Sequence, residues 1–577
     1  LKIGSRNPGI KKRSDNKMKS YYKKYPLLIF TSLVMATITA LSALPYPLIL
    51  KYFIDTVIPQ KDVSEVLIWS IFLLVVIAIR ITSNFFQNYT ASIIEGRVAR
   101  DLKTDLLNKV LKLPMSFFVN NDIGSIMSRI SNDASRSVGL FRNYYLTLYS
   151  SIFFVAAALI LMIRLNVILA ILSLVLIPIL ALATALLNTK MAKESRKLSS
   201  ANQVVTKELE EGLSGIETIK VDNLYSRVKD RFFRSLNDLL NVNLAINKYG
   251  VMAGAILTGI VSIGPILLLV VGTYLVLRGS TTIGTVVAIT NLLLFLYEPI
   301  QQISLARVKI QTPRAVWKGV KELLEEEEEE MTGAEPKKYN IAFDNVTFSY
   351  DGKRDVLNDV SIDAREGKFI AIVGRTGVGK STILKLIPKF YLPQRGKITF
   401  NGNELNELST HKIRDTVAYI NRNVYIFYGT IKENIAIKDE EIDLKEIKEA
   451  ARIACIDEEI EQMGGYGAFV GSRGKALSDG QRVRIGIARA VLKRPKVILI
   501  DEALTAVDSA TESNVMKNLR GRFPHMTIIL ISHRLSSFKF ADMIYVLERG
   551  KVAATGNYND IKENTSFKTL FTGQLEM

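Results

Sequence analysis

The chain is nearly without cysteine. Of 577 residues only Cys455 carries a thiol, which excludes an internal disulfide framework and a cysteine-built metal cluster. Histidine is almost as scarce, with three in the chain. No short apolar stretch with a small-residue cleavage site follows the basic N-terminus, so it does not read as a secretory signal. Acidic residues are outnumbered, 56 Asp and Glu against 75 Lys and Arg, for a formal net charge of +19. Such an excess invites a nucleic-acid hypothesis. Beyond the N-terminus, however, the basic residues are not gathered into an arm interleaved with aromatics, and no nucleic-acid partner is expected. The chain begins at Leu1 rather than methionine, which leaves room for residues upstream.

What is abundant is apolar sequence. Hydrophobic residues make up 48% beside 23% charged, so the two kinds must be segregated along the chain. They are segregated by halves. Residues 1–24 hold nine Lys/Arg against the single acid Asp15, and an apolar stretch at 25–50 follows. About 20 such residues cross the hydrocarbon core, and a basic flank stays on the cytoplasmic side. Further spans are expected at 63–93, 139–164, 165–190, 248–278 and 282–308. The connections expected outside are short, at 59–62, 164–166 and 278–280. Those expected inside, 94–138 and 191–247, are long, polar and helix-patterned, with few Gly or Pro. A helix out and back of roughly 20 residues per arm reaches about 30 Å beyond the bilayer. Arg80, Gln87 and Glu298 fall in the inner halves of their spans. They fit a water-filled cavity open to the cytoplasm, or helices that have already left the lipid, with Glu298-Pro299 marking a kink.

Six consecutive glutamates, Glu325–Glu330, precede Gly333 and Pro336. A like-charge block is normally solvated, and Gly and Pro end a helix, so 321–338 reads as an acidic linker. A calcium site is not supported, because the loop spacing is absent. From Tyr339 the pattern is α/β. Phe369–Val373 reads as a buried strand, Gly374–Ser381 matches GxxxxGK[ST] in full, and Ser381 onward reads as a helix. The loop residues Gly374, Arg375, Thr376, Gly377, Val378 and Gly379 turn backbone N–H groups onto phosphate oxygens. Lys380 supplies a charge for the β/γ-phosphates, Ser381 a hydroxyl for Mg²⁺, and Thr382 continues the site. The aliphatic run from Lys496 ends in Asp501 and Glu502, delivering two carboxylates at the sheet edge where α/β proteins bind ligands. Asp501 is placed to hold Mg²⁺ through water and Glu502 to deprotonate the attacking water.

In these motifs and in those that follow, the chain resembles the ATP-binding cassette (ABC) transporters of the exporter branch. Leu477–Gln481 (LSDGQ) is similar to the LSGGQ signature, Thr505–Asp508 to the D-loop, and Ile531–Leu535 to the switch-histidine segment. Ser116–Asp133 and Glu211–Lys220 resemble the two coupling-helix regions, and Tyr350 the adenine-stacking aromatic. The likeness covers nearly the whole chain in family order. It implies a multi-domain membrane protein: an all-α six-helix transmembrane domain at 25–320, then an α/β P-loop nucleotide-binding domain at 339–577 with an antiparallel β subdomain and a helical subdomain. It further implies a half-transporter in the cytoplasmic membrane, with the nucleotide-binding domain in the cytoplasm, working as a dimer. ATP and Mg²⁺ are the expected cofactors. Ser478, Asp479, Gly480, Gln481 and Asp508 would complete a partner's ATP site, and His533 would help position the water. ATP would close the dimer and alternate access across the bilayer.

Two positions depart from the family pattern. Asp479 stands where the signature has its first glycine and brings a carboxylate toward a triphosphate. Asn421 stands at the Q-loop glutamine position, one methylene shorter, so it is at best a weak Mg²⁺ ligand. In a homodimer both sites would carry Asp479; a heterodimer confines it to one, and is favoured. An ATP-gated channel or nucleotide-regulated membrane protein is the alternative, against which intact Glu502 and His533 argue. A membrane-tethered P-loop enzyme is a third reading, against which the coupling segments argue. The exported substrate is not legible.

Overall fold

The computed structural model describes residues 18–438, 441–471, 474, 476–538 and 541–575. It divides into two compact units, one of residues 1–111 and 122–326, the other of 112–121 and 327–577.

The first unit is helical. Its long elements are α1 (Pro26–Leu41), α2 (Val63–Val110), α3 (Thr147–Leu165), α4 (Val167–Ser214), α5 (Tyr225–Leu277) and α6 (Ile283–Lys309). Among the described residues, five helical runs are long and apolar enough to cross a membrane: Pro26–Gln60, Val63–Val110, Tyr144–Leu165, Tyr225–Leu277 and Ile283–Ser304. Residues 167–190, most of a further expected span, lie in the first half of α4 and are not among these five runs. The first crossing runs on past the expected residue 50 through Pro45–Tyr52 and a π-helical turn at Phe53–Val57. Helices α2, α4 and α5 hold 48, 48 and 53 residues. At 1.5 Å per residue each exceeds about 70 Å, more than twice the hydrocarbon thickness.

Side-chain caps and a glycine turn set the ends of these helices. Asp62 caps α2, accepting from Ser64 N at 2.9 Å and Glu65 N at 3.3 Å. Asn166 caps α4 through Leu169 N. Gly279, at φ +69°, closes α5 in a Schellman motif, with Ser280 N bonded to Leu275 O and Gly279 N to Val276 O. The crossings pack through Ala158 and Met162 of α3, Leu169 of α4, Leu268 of α5, and Ile289, Leu292 and Leu296 of α6. Before the first crossing, the hydroxyls of Tyr21 and Tyr25 reach Asp105 and Asp101 on the far arm of α2. Arg80 and Glu298 are exposed and Gln87 is half-buried. Helix α6 continues through Pro299. Proline is tolerated where neighbouring groups satisfy the freed carbonyl.

The helix Gln311–Glu325 runs into the expected linker because Trp317, Val320 and Leu323 recur on one face and are buried. The glutamate run is also not uniformly solvated. Glu329 forms a two-point pair with Arg414 (2.8 and 2.5 Å), and Thr410 Oγ1 donates to Glu330 O at 2.6 Å.

The second unit is α/β. A small antiparallel sheet has the order β2 (Leu357–Ala364), β1 (Ile341–Phe348), β4 (Arg395–Phe400), β5 (Asn403–Glu404). The main sheet has the order β10 (Lys551–Gly556), β9 (Met543–Glu548), β3 (Phe369–Gly374), β8 (Thr527–Ile531), β7 (Val497–Asp501), β6 (Val417–Asn421). Strands β6, β7, β8, β3 and β9 pair in parallel, while β10 runs antiparallel. The small sheet and α7 (Lys380–Leu386) cover one face. The other face packs on α8 (Asp479–Leu492), α9 (Ser509–Arg522) and the helices Ile431–Ile435, Leu444–Ile453 and Asp457–Gln462. Burial on both faces is why β3, β7 and β8 are apolar through their middles rather than alternating.

Candidate functional site

The site forms at the sheet edge where β3 and β7, the strands flanking β8, both end. β3 is buried throughout and hands the chain to the glycine loop. Gly379 sits at φ +103°, and a Cβ there would stand 2.6 Å from Leu357 Cδ2 and 2.9 Å from Val356 O. Only glycine meets both demands. Arg375, Thr376 and Gly377 form the exposed crest of the loop, and Val378 is half-buried. Lys380 Nζ turns back under the crest, donating to Gly374 O at 2.9 Å and Arg375 O at 3.1 Å. It stands 3.9 Å from Glu502 Oε1. Burial lowers the Lys380 pKa, and the carboxylates of Glu502 and Asp501 oppose that shift.

Ser381 Oγ donates to Asp501 Oδ1 at 2.7 Å. The other carboxylate oxygen, Oδ2, accepts from Tyr419 OH at 2.8 Å. Asp501 is 7% exposed. One residue on, Glu502 adopts the left-handed conformation (φ +52°), and its N–H bonds Ile531 O of β8. A non-glycine residue held there is strained by about 1 kcal/mol or more. That conformation turns its carboxylate to His533, with Oε1 2.9 Å from Nε2. Arg534 follows, donating to Val507 O at 2.6 Å, Thr505 O at 3.2 Å and Glu512 Oε2 at 2.7 Å. The switch segment and the 503–508 turn are thereby tied together.

The hydroxyl of Ser381 and the carboxylate of Asp501 are hard oxygen donors beside the phosphate loop, the set Mg²⁺ takes when it arrives with nucleotide phosphates. Among the described residues no group of three or more His, Cys, Asp or Glu is gathered as a cage. An ion that draws most of its ligands from phosphate and water needs none.

The remaining expected residues lie around this centre. Tyr350, 46% exposed, follows β1, and its hydroxyl is 3.1 Å from Thr382 Oγ1. Asn421 ends β6 in register with Asp501 and is exposed. Ser478 caps α8 in a capping box, accepting from Gln481 N (3.2 Å) while Gln481 Oε1 accepts from Ser478 N (2.9 Å). Gly480 approaches the 503–508 turn so closely that a Cβ would lie 2.9 Å from Ala506 O. Asp508 caps α9 through Ala510 N and Thr511 N. Asp479 is not a bare charge: Arg482, one helical turn on, binds its carboxylate. Arg482 also holds Leu477 O at 3.0 Å.

The structure therefore brings Lys380, Ser381, Asp501, Glu502 and His533 into one constellation. It keeps Ser478–Gln481 as a second one at the head of α8, joined to the 503–508 turn through Gly480. Reading by motif missed Tyr419, Arg482 and Arg534. Helical spacing pointed to Arg482, three residues after Asp479. Nothing local marks Tyr419, whose partner is 82 residues away.

The comparisons agree across the chain. The family model of the ABC transporter transmembrane region matches residues 29–300, and that of the ABC transporter matches 357–505. The uncharacterized ABC transporter ATP-binding protein YwjA of Bacillus subtilis (strain 168) is 30% identical over 552 residues, which are 94% of this chain and 96% of that protein. YgaD of the same organism, named a candidate multidrug export ATP-binding/permease protein, is 28% identical over 580 residues, or 98% and 99% of the two chains. The solved structure of a bacterial Atm1-family ABC exporter with ATP bound shares the fold, with a TM-score of 0.84 at 22% identity, covering 95% of this chain and 99% of that one.

Proposed function

The chain belongs to the ABC transporter family, as a multi-pass membrane protein with an ATP-binding domain on the same polypeptide, and on that premise we propose an ATP-hydrolysing exporter half-subunit. The observation that carries the reading is the Glu502–His533 pair beside Lys380 at the C-terminal edge of the sheet. A carboxylate held by a neighbouring imidazole, one residue beyond a metal-side aspartate, is the arrangement a general base for water needs. Lys380 and the loop N–H groups hold the phosphates, and Tyr350 offers its exposed ring to the adenine. Ser381 and Asp501 hold Mg²⁺, which neutralises charge on the β/γ-phosphates. Asn421 contributes weakly.

The working unit is a dimer of half-transporters in the cytoplasmic membrane, with the ATP-binding domains in the cytoplasm. Each ATP lies between one chain's phosphate loop and the other's Ser478–Gln481, and Asp508 braces the junction. Closure passes through the segments near 117–130 and 212–220 to alternate access across the bilayer. Export rather than import is supported by the multidrug-export name of the relative YgaD and by fusion of both domains in one chain. The second half-transporter is taken to be a different chain, because Asp479 still places a 72%-exposed carboxylate at the head of α8.

The test is transport by protein reconstituted in vesicles, with a panel of amphiphilic compounds and either ATP or a non-hydrolysable analogue. Accumulation against a gradient with ATP alone is expected. Equal flux with the analogue, or flux only down a gradient, would establish a gated channel instead.

A further inference from the structure

Ser349 and Tyr350 follow the last residue of β1, where the strand ladder runs out. The last pairs of β1 are Thr347 with Arg395 of β4 and Phe348 with Leu357 of β2. Ser349 is 5% exposed, so its peptide N–H and C=O need partners within the protein. The side chain of Gln394 supplies both. Ser349 N donates to Gln394 Oε1 at 2.8 Å, and Gln394 Nε2 donates to Ser349 O at 2.8 Å. A carboxamide carries an acceptor and a donor side by side, so it copies the peptide group of an absent neighbouring strand. The rung before it is ordinary backbone pairing, Gln394 N to Thr347 O at 3.1 Å. The side chain thus carries the ladder one residue past the end of β1, to the residue just before Tyr350.

The Tyr350 ring is held as well. Its hydroxyl is 3.1 Å from Thr382 Oγ1, one residue after Ser381. Phe348 meets it edge to face at 4.9 Å and Tyr391 at 5.0 Å, while Phe348 and Tyr391 lie 5.7 Å apart. Three centroids so close to an equilateral triangle put Phe348 and Tyr391 on one side of Tyr350 and leave its other side open. Beyond it, Asp351 Oδ1 accepts from Lys353 N at 2.8 Å and Arg354 N at 3.2 Å, which turns the chain away. Tyr391 and Gln394 both belong to the loop 387–394 between α7 and β4. One loop therefore steadies the ring through Tyr391 and the backbone through Gln394.

We propose that Gln394 is a positioning residue for the nucleotide base: its carboxamide fixes Ser349 and so keeps Tyr350 in place as the platform on which the adenine stacks. The proposal rests on the ATP-binding reading of the site and adds to it a residue that acts only through Tyr350. Stacking a base on an aromatic ring is worth about 5- to 150-fold in affinity.

Gln394 is itself exposed, so Gln394→Ala removes the clamp without emptying the core. In the purified full-length protein with Mg²⁺, isothermal titration measures affinity for a non-hydrolysable ATP analogue and for inorganic tripolyphosphate, which has no base. Gln394→Ala should weaken analogue binding on the order of tenfold, within the range for losing the stacked ring, and leave tripolyphosphate binding unchanged. In a Tyr350→Ala background the same substitution should cost nothing further. Unchanged analogue binding in Gln394→Ala, beside a loss in Tyr350→Ala, overturns the proposal. So does an equal loss for analogue and tripolyphosphate, or a loss that adds to that of Tyr350→Ala, either of which would make Gln394 a general support of the fold. A Tyr350→Ala chain that binds the analogue at wild-type affinity would instead defeat the adenine reading on which the proposal rests.

Discussion

Nε2 of His533 lies 2.9 Å from Oε1 of Glu502, and Glu502 holds a left-handed backbone (φ +52°) that keeps its carboxylate there. A strained conformation at the end of a fully buried strand persists only when the surroundings hold it. Here the holding groups are the Ile531 carbonyl on the Glu502 N–H and the Thr505 hydroxyl on the Glu502 carbonyl at 2.6 Å. The backbone is spent on aiming one carboxylate.

Glu502→Gln keeps the shape and a hydrogen bond to His533 while removing the base. Single-turnover hydrolysis should fall by about 10²- to 10⁴-fold, with ATP retained and its affinity unimpaired. Rapid-quench measurement of one turnover decides it, and a wild-type rate would remove Glu502 from the role of base.

Gly480 is a steric prediction rather than a chemical one. A methyl group there would stand 2.9 Å from the Ala506 carbonyl, a backbone atom that cannot step aside as a side-chain end can. Gly480→Ala should therefore push α8 away from the 503–508 turn and destabilise the unit by about 1–3 kcal/mol. Differential scanning calorimetry should show a lower melting transition. An unchanged transition would mean that the turn is free to move.

The glutamate run makes a prediction about its own anchoring. Glu329 is 14% exposed and paired at two points with Arg414, which in turn donates to Pro388 O and Lys389 O. Hydrogen bonds to charged groups contribute about 1.5–3 kcal/mol, and partial exposure places this pair at the lower end. Glu329→Ala should release the 327–331 stretch, which limited proteolysis would report as faster cutting there. Glu326→Ala, whose side chain is exposed, serves as the control and should cut at the wild-type rate.

How much of this was legible in the sequence follows from how local each signal is. The phosphate loop, β3 and β7 read directly, since their chemistry sits in contiguous residues and burial on both faces leaves no polar interruption in the strands. The long arms of α2, α4 and α5 were legible from polar, helical patterning with few Gly or Pro. The Glu329–Arg414 and Tyr419–Asp501 pairs were not, because their partners lie 85 and 82 residues apart and only the fold brings them together. The glutamates show the physical limit of composition: six like charges favour solvation on average, yet one guanidinium cupped by carbonyls was enough to draw Glu329 in. Asp479 shows a different limit. Set against the glycine of the family pattern it reads in the sequence as an added negative charge, and only its position in the first turn of α8 supplies Arg482 as counter-ion.

That counter-ion sharpens the question of the partner chain. If Asp479 repels a triphosphate, a homodimer weakens both of its sites, and the purified chain alone should be a poor ATPase until a second half-transporter is supplied. If Arg482 neutralises the carboxylate, a homodimer is viable, and removing the arginine should be what disables it. Mass photometry of the purified chain with ATP and Glu502→Gln separates the cases, since the trapped state holds the dimer together. The heterodimer reading expects mostly monomer and weak ATPase, with Asp479→Gly gaining a homodimer that the unsubstituted chain lacks. A stable homodimer with full ATPase, unchanged by Asp479→Gly and lost in Arg482→Ala, would defeat it. The double variant Asp479→Gly/Arg482→Ala closes the argument: if Arg482 matters only as counter-ion, removing the charge it answers should make its own loss harmless.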